Sequence, residues 1–413
     1  MVEMAETFSF KFASTPDIVF GCGAFAELPS LIAGQGERVL LITGGTSLQK
    51  SGNLERLTAE LEDRVTRIDL EKVSGEPSPE LVDELAEKHR SPAPTVIAAV
   101  GGGSVLDAGK AVSALIPCQE SVMAYLEGVG QGKQHSGKKV PFIAVPTTSG
   151  TGSEATKNAV LSRVGDAGFK KSLRHDNFVP DLALVDPELV QSCPPDITAA
   201  SGMDAISQLL GAYLSTEASP LTDSLALKAL ERAGESFYLA VTQGENLKAR
   251  ADMAYAALIS GIVLANAGLG IVHGAASPLG GYFDIPHGVV CGTLLPAAVE
   301  KNIELLRIEA REEGGKAAES RQFLEKYALA GALLSREAQT GQMQLDLEGQ
   351  VEKYCDRLIE ILHEWVEELP ISRLGEYGIR EADLAKIAAE TGCKNNPVPL
   401  SKEEIEDILR ARL

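Results

Sequence analysis

Histidine, tryptophan, paired cysteines and long apolar runs are all scarce in this chain, and each scarcity narrows what it can be. Among 413 residues there are six histidines, one tryptophan and six cysteines. Cys22, Cys118, Cys193, Cys291, Cys355 and Cys393 are far apart and form no CxxC pair. That spacing argues against a disulfide framework or a structural zinc site and for reduced thiols in a cytoplasmic setting. No run of about eighteen apolar residues occurs, so no membrane partner is expected. The opening MVEMAETFSFKFASTP has early acids and no apolar centre, unlike a signal peptide. Bases are outnumbered, 38 Lys and Arg against 58 Asp and Glu, for a net charge of −20. Such a surface repels a phosphate backbone, and nucleic acid is not an expected partner.

What remains is a globular chain long enough for two domains with different grammar. Through about residue 190, short apolar runs alternate with helical stretches. RVLLIT (38–43), TVIAAV (95–100), PFIAVPTT (141–148) and LALVD (182–186) read as strands, and their alternation with helices predicts a mostly parallel α/β sheet. Beyond Pro194 the strand pattern stops. Helical periodicity covers 196–214, 219–240, 245–268, 288–309, 317–335, 346–367 and 401–412. The expectation is a Rossmann-like α/β domain over 1–190 and an all-helical domain over 191–413, which the loops and side chains below make a dinucleotide-binding domain and a metal-binding and substrate domain. A crevice between two such domains is a common place for a small-molecule site.

Three polar loops follow strands. AAVGGGSVLDAGKA (98–111) runs strand, glycines, serine, helix, an arrangement whose backbone amides can receive a phosphate. It is neither G-x-G-x-x-G nor a P-loop, because Gly103 to Gly109 is one residue too long and Ala111 follows Lys110. A plain tight turn accounts for such a triplet equally well. VPTTSGTGSEAT (145–156) and LITGGTSLQKSG (41–52) add hydroxyls and glycines at two more strand ends. Loops at the carboxyl ends of parallel strands are where such sheets bind ligands, which makes a dinucleotide the leading reading.

SGMDAISQLLGAYLS (201–215) is a mostly apolar helix carrying Asp204 and, one turn later, Gln208. A carboxylate removed from water needs a partner or a metal. His89, His135, His175 and His363 lie in polar stretches and read as surface residues, leaving His273 and His287 in the glycine-rich GLGIVHGAASPLGGYFDIPHGVVCG. A lone histidine there is more often a satisfied core residue. One carboxylate with two imidazoles nevertheless makes a reasonable Zn²⁺ or Fe²⁺ shell.

The chain resembles the iron-containing (group III) alcohol dehydrogenases along almost its full length. The resemblance rests on GGGSVLDAGKA, VPTTSGTGSEAT, VPDLALVDPEL, GMDAISQ, HGAASPLGG, IPHG and NNPVPLSKEEIEDILRARL, in that order. It implies the dehydroquinate synthase-like architecture of these enzymes, NADP or NAD as cofactor, one divalent metal (Fe²⁺ or Zn²⁺) and a small alcohol or aldehyde substrate. The expected assembly is a homo-oligomer, a dimer.

Carried over by position, Asp204, His273 and His287 match metal ligands, with Gln208 standing where the family has a histidine. Gly102, Gly103 and Ser104 match the pyrophosphate loop, and Asp107 a position close to the cofactor and its chemistry. Thr147, Thr148, Thr151 and Ser153 match the second nucleotide loop, while Lys170 and Leu189 fall on cofactor-contacting positions. Gly44 replaces an acidic residue that grips the ribose 2′-hydroxyl in NAD-preferring members, so NADP(H) should be tolerated. Ser277 stands where a histidine often lies near the nicotinamide, leaving its hydroxyl, the cofactor ribose or water to relay a proton. Metal-free reductases of the maleylacetate type and a non-catalytic nucleotide-binding relative are the rival readings. A dehydroquinate synthase-like lyase would need a basic cluster that is missing around 268–292.

Overall fold

The four apolar runs read as strands form the middle of one parallel sheet. In the computed structural model, which describes residues 9–336, 349–393 and 395–413, eight strands occur among those residues. They are β1 (Asp17–Phe20), β2 (Arg38–Thr43), β3 (Arg67–Lys72), β4 (Val96–Gly101), β5 (Phe142–Pro146), β6 (Asn158–Arg163), β7 (Phe169–Arg174) and β8 (Leu182–Val185). Six of them make a sheet in the order β1-β8-β5-β4-β2-β3, every neighbouring pair parallel. β6 and β7 form a separate antiparallel pair. The chain turns outward in opposite directions from β2 and β4, so the crevice between their carboxyl ends is the switch point at which such sheets bind ligands.

β1, β3 and the β6–β7 pair were not legible as strands, for a physical reason. β1 and β3 are edge strands with exposed or half-buried residues, and RIDLEK on β3 carries charge where a central strand would carry Val or Ile. Helices α1 (Leu28–Gln35), α2 (Ser47–Lys50), α3 (Asn53–Glu62), α4 (Pro79–Lys88) and α5 (Gly103–Leu115) alternate with the strands, and two apolar cores lie on opposite faces of the sheet.

Nine α-helices follow among the described residues: α6 (Pro195–Tyr213), α7 (Pro220–Thr242), α8 (Leu247–Ala267), α9 (Ile271–Tyr282), α10 (His287–Glu309), α11 (Gly315–Leu334), α12 (Val351–Glu368), α13 (Glu381–Glu390) and α14 (Lys402–Arg410). The start of the helix read over 346–367 lies outside the described residues. The Ser-Pro entry to α7 is a capping box, with the Ser219 hydroxyl accepting from the Thr222 amide and Pro220 in the first turn. Helix α9 was hidden by its glycines and Pro278. Those glycines serve packing: a Cβ at Gly274 would sit 1.7 Å from the Gly392 carbonyl oxygen. No single helix among the described residues is long and apolar enough to cross a membrane.

Two of the histidines read as surface residues are buried. His89 pairs through Nε2 with Glu71 at 2.7 Å. His135 sits edge-on to Phe178 with Cys118 Sγ 3.1 Å from its Nε2. Polar neighbours in sequence mislead here because each imidazole finds its own partner inside. His175 is half-buried beside Phe178, and His363 meets Glu300 at the surface. All six cysteines are free thiols.

Two contacts fix the halves and the loops. Gly152, after β5, lies against Gly261 on α8 so closely that a Cβ on Gly152 would be 2.5 Å from the Gly261 nitrogen. Lys110 on α5 is 1% exposed and donates from Nζ to the Ser153 carbonyl (2.7 Å), Ser153 Oγ (3.1 Å), Thr156 Oγ1 (3.1 Å) and the Asn158 carbonyl (2.8 Å). Burial pushes its ammonium down to about 8, against the pull of Asp107 and Glu154. One side chain thus pins the helix after β4 to the loop after β5. Lys110→Met should cost about 3–5 kcal/mol, the range for stripping one partner from a buried charged network. Denaturant unfolding checks this, and an unchanged midpoint would show that the lysine is not the pin.

Candidate active site

The Gly-rich turn after β4 ends at Gly102, the N-cap of α5, and no side chain caps the helix. Helix-terminal amides without a cap are ready anion donors. Gly103 must lack a side chain, because a Cβ there would lie 2.5 Å from Thr151 Oγ1. The Thr147 amide donates to the Gly101 carbonyl at 2.9 Å, tying the two loops together at their base. Gly103, Ser104, Asp107, Thr151 and Ser153 line one wall of a cleft of about 510 Å³, and Lys170 lies in it as well. An adjoining hollow of about 560 Å³ includes Gly102 and Thr148. Gly44, Thr147 and Leu189 are set back from both. Gly44 follows β2 and lies beside Val105, and Leu189 is packed in the core under the sheet.

Asp107 reaches the cleft with both oxygens engaged. Ser153 Oγ donates to Oδ1 at 2.5 Å and the Val160 amide to Oδ2 at 3.0 Å, while burial pushes its carboxyl up. Lys170 is paired with Glu76, whose Oε2 accepts from Ser162 Oγ at 2.5 Å. Burial alone would raise the Glu76 carboxyl, and Lys170 outweighs it and holds it low. Nothing in SGEPSP marks Glu76 in advance.

The opposite wall belongs to the helices. Asp204 and Gln208 sit one turn apart on α6, a helix buried on almost every side, while His273 and Ser277 are on α9 and His287 opens α10. Asp204 Oδ1 is 3.1 Å from His273 Nε2 and 3.8 Å from His287 Nε2. Its Oδ2 is buried with no hydrogen-bond partner. Burial would raise the Asp204 carboxyl, but the two imidazoles and the Cys291 thiol outweigh it and hold it at about 2. Burial pushes the His287 imidazole down against the pull of Asp204, which favours the neutral ring that can offer a lone pair. Cys291, one turn after His287 on α10, places Sγ 3.5 Å from His273 Nε2 and 3.7 Å from His287 Nε2. Its thiol is pushed far up by burial and by Asp204.

Asp204, His273, His287 and Cys291 offer four donor atoms within 4.8 Å of one another. An ionised buried carboxylate with an orphaned oxygen, two imidazoles and a sulfur suit a divalent transition metal. The i, i+4 spacing of His287 and Cys291 is the same signal that singles out Gln208 after Asp204, yet sequence reasoning passed over it. Gln208 lines the cleft, and its Oε1 accepts from Ser260 Oγ at 2.9 Å. The Ser277 hydroxyl donates to the Lys170 carbonyl at 3.0 Å.

This pairing of a nucleotide-type loop set with a metal-type cluster across one cleft is that of a nicotinamide-dependent oxidoreductase. Residues 15–187 match the iron-containing alcohol dehydrogenase family and residues 198–413 its Fe-containing C-terminal family. The chain is 31% identical over 408 residues to an NADPH-dependent butanol dehydrogenase of Clostridium saccharobutylicum, covering 96% of each. It is 30% identical over 402 residues to alcohol dehydrogenase 4 of Saccharomyces cerevisiae, again covering 96% of each. A crystal structure of the archaeal Red Sea brine pool alcohol dehydrogenase ADH/D1 superposes with a TM-score of 0.85 at 27% identity, over 98% of this chain and 99% of that one. The chain belongs to the iron-containing alcohol dehydrogenase family, and it is an oxidoreductase acting on alcohols. Members of the family bind NAD(P) and iron or another divalent metal.

A side chain at Gly102 tests the phosphate loop cleanly, because a Cβ there would lie 3.4 Å from Thr148 Oγ1 and the fold has room for it. Gly102→Val should leave stability within about 1 kcal/mol, as swaps at uncapped helix starts do. Nicotinamide nucleotide affinity should fall about tenfold or more, a loss of about 1.4 kcal/mol. Titration with NADPH and NADH checks this, and parental affinity would remove the loop from the nucleotide site.

Proposed function

We propose that the protein interconverts a small alcohol and its aldehyde or ketone with NADP(H), at a metal held by Asp204, His273 and His287. The observation that carries this reading is the buried Asp204 carboxylate, ionised and with Oδ2 unpaired, on the cleft wall facing the open start of α5. A bound divalent metal would polarise the substrate oxygen, and the nicotinamide would give or take the hydride. The chain supplies the rest. Gly102, Gly103 and Ser104 receive the pyrophosphate at the helix start. Thr148 and Thr151 offer hydroxyls along the nucleotide, while Ser153, whose hydroxyl is held between Asp107 and Lys110, shapes the wall behind them.

Lys170, held by Glu76, places its ammonium in the cleft and adds positive potential beside His287. Ser277 lines the same cleft one turn after His273, and its hydroxyl hydrogen is directed at the Lys170 carbonyl. It can therefore accept a hydrogen bond from a substrate hydroxyl and pass a proton only by turning away from that carbonyl. The apolar packing of α6 and α9 excludes water from the metal side. A homodimer is supported by edge strand β1, where Ile18 and Phe20 are 41% and 40% exposed.

NADP(H) preference is supported by Gly44, which places no carboxylate at the end of β2, and by the NADPH-dependence named for the butanol dehydrogenase relative. A Cβ at Gly44 would lie 2.7 Å from Val105 Cγ2, so the test pairs Gly44→Asp with Val105→Ala. Two like charges about 4 Å apart repel by about 1–4 kcal/mol, so the double variant should shift kcat/KM toward NADH about tenfold or more. A parental preference for NADH that the pair leaves unchanged would overturn this part.

Asp204→Ala should lose bound metal on elemental analysis and lower aldehyde reduction at least about 100-fold, beyond what loss of a supporting partner costs. A parent that takes up no metal under any loading condition, yet reduces aldehydes with NADPH, would overturn the metal reading.

A further inference from the structure

Cys291 is fully buried at the edge of the apolar core, and its Sγ lies against Nε2 of His273, Nε2 of His287 and the Asp204 carboxylate. The chain's other deeply buried cysteine behaves differently, since Cys355 donates to the Leu324 carbonyl as an ordinary core thiol. Bond lengths of about 2.3 Å to sulfur and 2.0–2.1 Å to nitrogen or oxygen, at tetrahedral angles, place neighbouring donors about 3.3–3.6 Å apart. The separations here are 3.5 and 3.7 Å from sulfur to the two imidazole nitrogens, and 3.1 and 3.8 Å from Asp204 Oδ1 to the same atoms. These four of the six separations bracket the edges of such a tetrahedron, and all four donors lie within 4.8 Å of one another. The unpaired Asp204 Oδ2 shows independently that the carboxylate's charge is incompletely met by the protein. Gln208 is the competing fourth donor, but the Ser260 hydroxyl on α8 holds its amide oxygen at 2.9 Å.

We propose that Cys291 is the fourth protein ligand of the metal centre, making it an Asp-His-His-Cys site, and that Gln208 does not coordinate. This rests on the reading that Asp204, His273 and His287 hold a metal. With a thiolate and a carboxylate, the site balances the two charges of the ion. Its sulfur favours a borderline-soft ion such as Zn²⁺ over Fe²⁺ more than a nitrogen and oxygen shell would. A tetrahedral resting site has no vacant position, so a substrate oxygen would enter by expansion to five ligands.

The test is the full chain stripped of metal and loaded with one equivalent of Co²⁺, read by absorption spectroscopy. A thiolate ligand gives an intense near-ultraviolet sulfur-to-cobalt charge-transfer band, independent of catalytic activity. The parent should show the band with one cobalt per chain. Cys291→Ser should lose it, while Gln208→Ala and Cys118→Ser keep it; the last controls for the thiol beside His135. Zn²⁺ affinity should fall about tenfold or more in Cys291→Ser, on the scale of losses from altered metal surroundings. One cobalt per chain without the band in the parent would overturn the Cys291 assignment and leave the metal reading standing. Failure of the parent to bind cobalt or zinc at all would overturn both. If Cys291→Ser does not fold, the parent spectrum beside Gln208→Ala and Cys118→Ser still decides.

Discussion

A carboxylate held in the protein interior, 1% exposed and ionised, is the constraint around which the helical half is arranged. Its burial is expensive unless opposite charge or good donors surround it. The surroundings supply two imidazoles and a thiol on α9 and α10 but leave one carboxylate oxygen without a partner. Helix α6 itself is buried on nearly every side, and Asp204 and Gln208 are among the side chains it turns toward the cleft.

The facing wall is built differently. Gly103 and Ser104 at the uncapped start of α5 share the cleft with the cations of Lys170 and Arg174, in a chain whose net charge is −20. This wall is also rigid. The buried ammonium of Lys110 ties α5 to the Ser153 turn, so the two loops approach each other as one unit. Desolvating a lysine to that degree is tolerable because four oxygens receive it.

Much of this was legible beforehand, and where it was not the cause is specific. Central strands announced themselves because both their faces are buried; edge strands β1 and β3 did not, because solvent lets their sequences be polar. Ser219 and Pro220 marked the start of α7 through chemistry local to one turn. Helix α9 was obscured because Gly274 is small for the sake of Gly392, more than a hundred positions later, and no local rule carries that information. Asp204, His273 and His287 could be grouped by residue type alone. Cys291 escaped notice because only its spacing from other cysteines was weighed, and not its place one turn after His287. Glu76 and Lys170 meet only once β7 and the loop after β3 are brought together, which sequence patterns do not reveal.

The contact between Gly152 and Gly261 bears on how the two walls work as one machine. Two backbones meet there with no side chain between them, one from the loop that ends β5 and one from the middle of α8. Such a joint can roll but cannot be compressed. It therefore acts as a fulcrum: the halves may rock about it, while the gap on its cleft side is set by the thickness of bare main chain. A methyl group inserted at Gly261 would work as a wedge between the walls, while one at Gly152, held at φ 60°, would also strain its own loop. Hydride transfer tolerates little of that, since a misplacement of about 1 Å can cost about a hundredfold in rate. The smallest residue in the protein is thus a spacer that gauges the distance between the two walls of the cleft.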